Sequence, residues 1–277
     1  MQVVQTIAEV RAIRRSLPGA WGLVPTMGFL HEGHLALVQA ARLENQHVAV
    51  SIFVNPTQFA PAEDLGAYPR DLERDLRRLD ELGVDLVWTP PAEEVYPADF
   101  QTYVTVEQVA KPLEGAARPT HFRGVATVVA KLFNIFQPDR AYFGQKDAQQ
   151  VVVIQQMVRD LAFPLEIVVR PTVRERDGLA KSSRNTYLTP EQRAAAPALY
   201  RALSDARRCW DEGERDGERL RQAMLDALNA EPLAKVDYVS AADPRTLVEL
   251  GRAGNGALLS MAVRIGRARL IDNLLLE

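Results

Sequence analysis

The sequence predicts an α/β fold, with a mostly parallel sheet carrying helices on both faces and a smaller C-terminal α+β domain. Short strand patterns alternate with helical patterns over the first two-thirds of the 277 residues. Strands joined by helices imply crossover connections and hence a parallel sheet. The pattern changes after Thr172. Hydrophobic residues make up 47% and charged residues 25% of the chain, which excludes a disordered, collagen-like or coiled-coil protein.

The strands are predicted from short apolar runs that are bounded by polar residues, glycine or proline. The run VAVSIFV has the composition of a strand that is buried on both faces. Another run, LVW, is stopped by Pro90 and Pro91. The predicted strands of the first domain are 22–25, 48–54, 86–88, 141–143 and 167–169.

The helices are predicted from apolar residues that recur at helical spacing. Leu72, Leu76 and Leu79 recur in this way among acidic residues and arginines, and Gly83 follows where a C-cap belongs. A second apolar stripe ends before Pro138. The predicted helices of the first domain are about 34–42, 72–82, 125–136 and 149–161.

The second domain is predicted because the alternation of short strand and helix patterns stops after Thr172. The predicted domains are therefore residues 1–172 and 173–277. A polar loop leads into Thr189, Pro190 and Gln192, which form a capping-box pattern with proline at the first helical position. One long helix rich in Ala, Arg and Leu is predicted next, and then a helix near 219–229. The runs 236–239, 258–263 and 268–276 are predicted as strands.

Charge and cysteine content narrow the class of protein. The 33 Lys and Arg residues nearly balance 36 Asp and Glu, giving a net charge of −3, so no nucleic-acid or membrane partner is expected. The one cysteine, Cys209, predicts a reducing compartment and a small buried apolar side chain. The N-terminus lacks the apolar core of a signal peptide, and no stretch is long enough to span a bilayer. We therefore expect a cytoplasmic protein.

The first candidate site is the segment PTMGFLHEGH, residues 25–34, between the first predicted strand and the following helix. A helix N-terminus there presents unpaired N–H groups to an anion. His31 and His34, three residues apart, share a face of the first helical turn, and Gly33 leaves room for a ligand. The pattern favours a triphosphate site. Two solvated loop histidines are one alternative, and a zinc site is another, although zinc would need further ligands.

The second candidate site is Asn55-Pro56-Thr57-Gln58-Phe59, just beyond the VAVSIFV strand. Uncharged amides at the carboxyl edge of a sheet suit hydrogen bonding to a hydroxyl or carboxylate of a ligand. Phe53 and Phe59 are predicted to supply an apolar wall. The alternative is a polar turn without a ligand.

The third candidate site is FGQKD followed by Gln149 and Gln150, again between a strand and a helix. Gly144 allows close approach of the backbone, and Lys146 can offset phosphate charge. Asp147 can cap the helix or hold a ribose hydroxyl. Gln150 is placed to point back into the cleft.

The fourth candidate site is the loop KSSRN at residues 181–185. Between residues 170 and 184, five Lys or Arg residues stand against two acidic ones, a net +3. Two hydroxyls beside two cations predict a phosphate clamp that closes from the second domain. A solvated basic loop is the alternative.

Together these segments closely resemble the pantothenate synthetases, ATP-dependent ligases that join pantoate to β-alanine. The resemblance runs to Leu188 through VPTMGFLHEGH, FVNPTQF, YPRDLERD, RPTHFRGV, FGQKDAQQ and AKSSRN, in that order. More distantly, His-x-Gly-His and the basic serine loop are similar to the signatures of class I aminoacyl-tRNA synthetases and related nucleotidyltransferases. The resemblance implies a Rossmann-type sheet.

The resemblance also implies roles for individual residues. His34 would be the proton donor, with His31, Lys146 and Arg184 also catalytic. Gln58 and Gln150 would bind pantoate, and Gln58 would also bind β-alanine. The implied ATP-binding residues are Met27, Gly28, Phe29, Leu30, His31, Glu32, Gly33, His34, Gly144, Gln145, Lys146, Asp147, Val173, Lys181, Ser182, Ser183 and Arg184.

The resemblance further implies ATP and Mg²⁺ as requirements and a homodimer as the assembly, while no metal ligand is identified. Two positions depart from the pattern of the relatives: Gln145 stands where many have Glu, and Lys181 where many have an apolar residue. The implied chemistry is attack of pantoate on ATP, giving an acyl adenylate and pyrophosphate, and then displacement of AMP by β-alanine. An adenylyltransferase that makes no amide and a non-catalytic nucleotide sensor are the alternative functions.

Overall fold

The computed structural model describes residues 1–59, 65–66 and 68–277. Within these residues the larger sheet has six strands in the order β1-β4-β3-β2-β5-β6, and every neighbouring pair is parallel. The strands are β1 (Gln2–Val4), β2 (Trp21–Thr26), β3 (His47–Ile52), β4 (Leu86–Trp88), β5 (Arg140–Gly144) and β6 (Glu166–Arg170). The predicted mostly parallel, Rossmann-type sheet is confirmed.

The strand order reverses between β2 and β5, which are hydrogen-bonded neighbours with Gly22 opposite Arg140. From β2 the chain moves outward to β3 and β4, and later from β5 to β6 on the other side. Connections leave a reversal point in opposite directions, so a crevice opens beyond the carboxyl ends of the strands there. All four candidate sites follow the carboxyl ends of β3, β2, β5 and β6, which are consecutive strands in the sheet.

Helices cover both faces of this sheet, as predicted. Trp21 and Leu23 point to the face covered by α1, α6 and α7, whereas Val24 points to the face covered by α2 and α3. Twelve of the sixteen residues of α6 are buried. The helices of this part are α1 (Ile7–Ser16), α2 (Glu32–Glu44), α3 (Leu72–Glu81), α4 (Ala92–Val95), α5 (Glu114–Ala117), α6 (His121–Phe136) and α7 (Ala148–Asp160).

The C-terminal part is α+β, as predicted. Its three strands form an antiparallel sheet in the order β7-β8-β9 and share a separate apolar core with α9 and α10. Leu247 and Leu258 instead join the core of the first sheet. The boundary near Thr172 stays a prediction. The elements are α8 (Pro190–Ala195), α9 (Ala198–Asp211), α10 (Gly217–Asn229), β7 (Ala234–Ala242), β8 (Ala257–Ile265) and β9 (Ala268–Leu276).

Several details of the sequence prediction are wrong. The single long helix after Thr189 is two helices, α8 and α9, because Pro197 lies at their junction and lacks the N–H that a continuous helix needs. The elements β1 and α1 were not predicted, although Thr6 and Glu9 form a capping box at the start of α1. Cys209 is half-buried rather than buried. Among the described helices, none combines the length and the apolar character needed to cross a membrane.

Candidate active site

A cavity of about 300 Å³ opens beyond the carboxyl ends of β2, β3, β5 and β6, and the C-terminal sheet closes its far side. This volume is at the lower end of the range for small-molecule sites. All four candidate sites contribute to its wall. The predicted site residues that line it are Met27, His31, Gly33, His34, Gln58, Gly144, Lys146, Asp147, Gln150, Val173, Lys181, Ser182, Ser183 and Arg184.

Five residues predicted to bind ATP, Gly28, Phe29, Leu30, Glu32 and Gln145, do not line this cavity. The Leu30 side chain is buried in the core beneath α2, and Glu32 faces outward, where it pairs with a lysine of the 181–185 loop. The Gln145 side chain hydrogen-bonds to the C-terminal sheet. Contact between these five residues and ATP stays a prediction. The contacts described for them are with other parts of the protein.

The histidine pair forms the N-terminus of α2, as the i and i+3 spacing predicted. His31 is the N-cap residue, and its Nδ1 accepts the N–H of Gly33 at 3.2 Å. Nδ1 of His34 accepts the N–H of His31 at 3.4 Å. The two rings stack with their centroids 4.0 Å apart. Because each Nδ1 is an acceptor, the proton of each neutral ring is on Nε2, which is left as a donor.

The surroundings keep both rings neutral. Burial is the main cause that lowers the pKa of His31 to about 4, and the positive charge of Lys146 is the second. Burial is also the main cause that lowers the pKa of His34 to about 3, and the neighbouring His31 is the second. Near neutral pH the pair therefore offers two neutral N–H donors rather than two imidazolium cations.

These low pKa values predict the pH response of the histidines. The ¹⁵N signals of His31 and His34 should stay those of neutral rings down to about pH 5, whereas an unperturbed histidine titrates near 6.5. Because the unfolded chain then takes up protons before the folded chain does, the free energy of unfolding should decrease as the pH falls from about 6.5 toward 4. An NMR titration, with signals assigned through His31→Gln and His34→Gln, checks this. A midpoint near 6.5 for either ring would contradict it.

Gln58 lies in a turn that other side chains hold rigidly. The buried Asn55 donates to Oε1 of Gln58 at 3.1 Å and to the carbonyl of Gly124 in α6 at 3.2 Å. A Cβ added at Gly124 would lie 2.4 Å from the carbonyl oxygen of Thr57, so only glycine allows this close packing. The backbone carbonyl of Gln58 contacts Nδ1 of His121 at 2.9 Å.

The predicted apolar wall is present beside this turn. Phe53 and Phe59 both line the cavity, together with valines on the facing side of α6. Gln150, on the first turn of α7, also lines it. The two glutamines predicted to bind one ligand therefore share a cavity with an apolar surface between polar ends.

The loop after β5 carries the third cluster. Nζ of Lys146 lies 3.3 Å from a carboxylate oxygen of Asp147. Burial raises the pKa of Asp147, but Lys146 and Arg184 together lower it below the usual value, so the carboxylate is ionised. Asp147 precedes α7 without a side-chain capping bond. Of the two predicted roles, capping is therefore wrong, and holding a ribose hydroxyl stays a prediction.

The 181–185 loop reaches the cavity from the C-terminal side. Nζ of Lys181 lies 3.3 Å from the Glu32 carboxylate at the start of α2, so much of its charge is already balanced. The Ser182 hydroxyl accepts the N–H of Arg184, and Ser183 hydrogen-bonds to Tyr68. In the described part of the chain, Arg184 forms no salt bridge, so its charge stays available for an anion.

Two residues that the motifs did not assign to the site hold these loops in place. The buried Asn273 of β9 donates to the carbonyls of Gln145 and Lys146 at 2.9 and 2.8 Å. Nothing in the local pattern of β9 indicates this contact. Asp75 of α3 accepts two N–H groups from the 27–31 segment. Asp75 lies in the YPRDLERD motif, which is part of the resemblance to the family but does not indicate what Asp75 binds.

A further polar cluster joins the two parts of the chain at the cavity. Glu114 accepts a hydrogen bond from the hydroxyl of Tyr238 at 3.0 Å and pairs with Arg269. Arg269 also pairs with Asp237. Leu113, beside Glu114, adopts a left-handed backbone with φ of 54°.

Among the described residues, no group of three or more His, Cys, Asp or Glu side chains is placed to hold a metal ion.

Comparison with known proteins agrees with this geometry. A profile of the family described as pantoate-beta-alanine ligase matches residues 2–275. The chain belongs to the pantoate-beta-alanine ligase family. This membership confirms the resemblance drawn from the motifs and makes the chain an enzyme of the ligase class.

Relatives in this family are similar over their whole length. Pantothenate synthetase from Herpetosiphon aurantiacus is 63% identical over 277 residues, which is 100% of both chains. Pantothenate synthetase from Chloroflexus aggregans is 65% identical, also over 100% of both chains.

Two solved structures share the fold. Pantothenate synthetase from Thermus thermophilus has a TM-score of 0.95 and 53% identity, with 99% of each chain covered. Pantoate-beta-alanine ligase from Francisella tularensis, solved in complex with beta-gamma ATP and beta-alanine, has a TM-score of 0.81 and 36% identity, covering 99% of this chain and 97% of that one.

Proposed function

We propose that this enzyme condenses pantoate with β-alanine in two steps, through a pantoyl adenylate, and releases pyrophosphate and AMP. One observation carries the proposal: two neutral imidazole N–H donors, Lys146 and Arg184 line the same cavity as the amides of Gln58 and Gln150. The first set suits a polyphosphate, and the second suits a small polar acid.

In the first step, a carboxylate oxygen of pantoate attacks the α-phosphorus of ATP, and the bond to the bridging oxygen of pyrophosphate breaks. Negative charge builds up on the departing pyrophosphate. Nε2–H of His31 and His34, the Lys146 ammonium and the Arg184 guanidinium, which line one cavity, would stabilise this charge. The rings keep their orientation because backbone N–H groups hold each Nδ1, so little reorganisation is needed during the reaction.

In the second step, the neutral amine of β-alanine attacks the acyl carbonyl of the adenylate, and the bond between the carbonyl carbon and the phosphate oxygen of AMP breaks. The departing AMP or solvent takes up the proton that the amine loses. A carboxylate is a poor acyl donor, whereas the mixed anhydride has AMP as a good leaving group. The chain needs no covalent nucleophile, so its task is positioning, charge stabilisation and exclusion of water from the adenylate. Gln58 and the apolar wall around Phe53 supply the position of the acyl group.

The roles of Val173, Lys181, Ser182 and Ser183 toward ATP belong to the same proposal, as does Mg²⁺. The ion would arrive with the phosphates of ATP as part of the substrate, the common mode for this cation. Among the described carboxylates that line the cavity, Asp147 is kept ionised by Lys146 and Arg184 and would face the ion. A homodimer and a cytoplasmic location stay predictions from the sequence.

An incubation of the enzyme with ATP, pantoate, β-alanine and Mg²⁺ tests the proposal. The expected products are AMP, pyrophosphate and the amide, and omission of β-alanine should still allow exchange of labelled pyrophosphate into ATP. A nucleotidylated product without amide would indicate an adenylyltransferase. Binding of ATP without turnover would indicate a sensor, and either result would overturn the proposal.

Gln58→Ala is expected to weaken pantoate binding by roughly ten- to hundredfold, since it removes hydrogen bonds worth about 1–3 kcal/mol in a buried site. Calorimetric titration of pantoate in the presence of a non-hydrolysable ATP analogue measures this. Gln222→Ala, at an exposed position on α10, is the matched control. Wild-type pantoate affinity in Gln58→Ala would place the acid elsewhere in the cavity.

A further inference from the structure

We propose that Asp75 is a positioning residue for the reaction: its buried carboxylate fixes the turn at Phe29 and Leu30 and thereby sets the placement of His31 and His34. This inference rests on the proposed function for its catalytic consequence only. Asp75 lies on α3, does not line the cavity, and is distant in sequence from the histidines that it would position.

The shortest contacts of Asp75 are with the backbone of that turn, and Nη2 of Arg74, on the same helix, also lies 3.4 Å from one carboxylate oxygen. One carboxylate oxygen accepts the N–H of Phe29 at 2.6 Å, and the other accepts the N–H of Leu30 at 2.9 Å. The side chain of Asp75 is only 1% exposed. An ionised carboxylate has acceptors only, so both of its oxygens match the two N–H groups.

The turn needs such support because its conformation is unfavourable. Phe29 has φ of 53°, in the left-handed region that residues with a side chain rarely adopt, and Gly28 before it has φ of 80°. A Cβ at Gly28 would lie 2.9 Å from Cγ2 of Ile52 and 3.3 Å from Oδ2 of Asp75. Surrounding contacts must therefore hold this backbone in place.

Two arginines of α3 bind the same turn through the carbonyl of Leu30. The carbonyl of Leu30 accepts from Nη1 of Arg78 at 2.8 Å and from Nη2 of Arg74 at 3.4 Å. The guanidinium of Arg74 lies 4.4 Å from the centre of the Phe29 ring. Both the N–H and the C=O of Leu30 are thus bound by α3, one residue before His31 begins α2.

The consequence follows from the adjacency of the turn and the cap. His31 is the N-cap of α2, its N–H contacts His34, and its ring stacks on that of His34. A rotation of the Leu30–His31 peptide would move both rings together. Asp75 therefore contributes to catalysis through backbone geometry, without lining the cavity.

Asp75→Asn tests this, since it keeps the shape and replaces one acceptor with a donor that faces an N–H group. We expect a tenfold or greater fall in the rate constant of pyrophosphate exchange, a pantoate KM within about twofold of wild type, and shifted ¹⁵N signals of His31 and His34. The signals of the other two histidines should not move. Asp80→Asn, on an exposed position of the same helix, should leave exchange and signals unchanged.

The outcomes separate this inference from the proposed function. A folded Asp75→Asn protein with wild-type exchange, or with lost exchange and unmoved His31 and His34 signals, overturns the positioning role. Shifted signals in an enzyme whose wild type shows no exchange would support the positioning and refute the function. If Asp75→Asn fails to fold, Arg78→Met removes one bond from the Leu30 carbonyl. The inference then requires both shifted signals and a smaller, two- to fivefold loss of exchange, and the absence of either result refutes it.

Discussion

His34→Ala is expected to slow pantoate-dependent exchange of labelled pyrophosphate into ATP by roughly 10²–10³-fold while the chain remains folded. Loss of one preorganised donor at a developing charge typically costs about 3–4 kcal/mol of transition-state stabilisation. The donor here is Nε2–H of a neutral ring, since Nδ1 is held by the N–H of His31. His34 lies at the wall of the cavity and outside the apolar core, so its removal leaves no large void in the core.

The control for this variant is His47→Ala. His47 begins β3, at the end of the strand away from the cavity, and its ring packs 4.9 Å from that of Trp21. This variant should retain wild-type exchange. Exchange at the wild-type rate in His34→Ala would remove His34 from the mechanism, and an equal loss in His47→Ala would point to instability instead.

Lys146→Met is expected to lower kcat/KM for ATP by about 10²-fold or more. The side chain keeps a similar length but loses the ammonium that faces the cavity, where it would stabilise phosphate charge. A second effect acts in the same direction. The Lys146 charge helps to lower the pKa of Asp147, and without it an unbalanced carboxylate faces the polyphosphate and repels it.

Initial-rate measurements at varied ATP check this prediction, with Lys111→Met as the matched control. Lys111 carries the same charge on a side chain that is 63% exposed and pairs with Glu107, so its loss should change neither KM nor kcat. A Lys146→Met enzyme with an unchanged KM for ATP and unchanged exchange would exclude Lys146 from phosphate binding. The charge stabilisation would then rest on Arg184 and the two histidines.

The sequence by itself determined the parallel sheet and the location of the candidate active site. Buried runs such as VAVSIFV identify strands because a strand covered on both faces has no polar side. Once the strands are parallel, every segment that follows a strand lies at the same edge of the sheet. The histidine pair, Gln58, Lys146 and the 181–185 loop could therefore be assigned to one cavity from the order of strands and motifs along the chain.

The helices and strands were predicted wrongly where the sequence pattern was short or where a single proline interrupted it. The capping box of Thr6 and Glu9 begins a helix of only ten residues. The strand β1 spans three residues and is identified by its pairing with β4 rather than by composition. The helix after Thr189 reads as continuous by periodicity, but Pro197 divides it.

Only the tertiary structure decided which residues hold the loops of the candidate site. Asp75 binds backbone that is 45 residues away in the chain, and Asn273 binds the carbonyl of Lys146 across 127 residues. Periodicity and spacing describe neighbours along one element, so they carry no information about such pairs. The orientation of the histidine rings was decided in the same way, because it depends on which nitrogen the surrounding backbone engages.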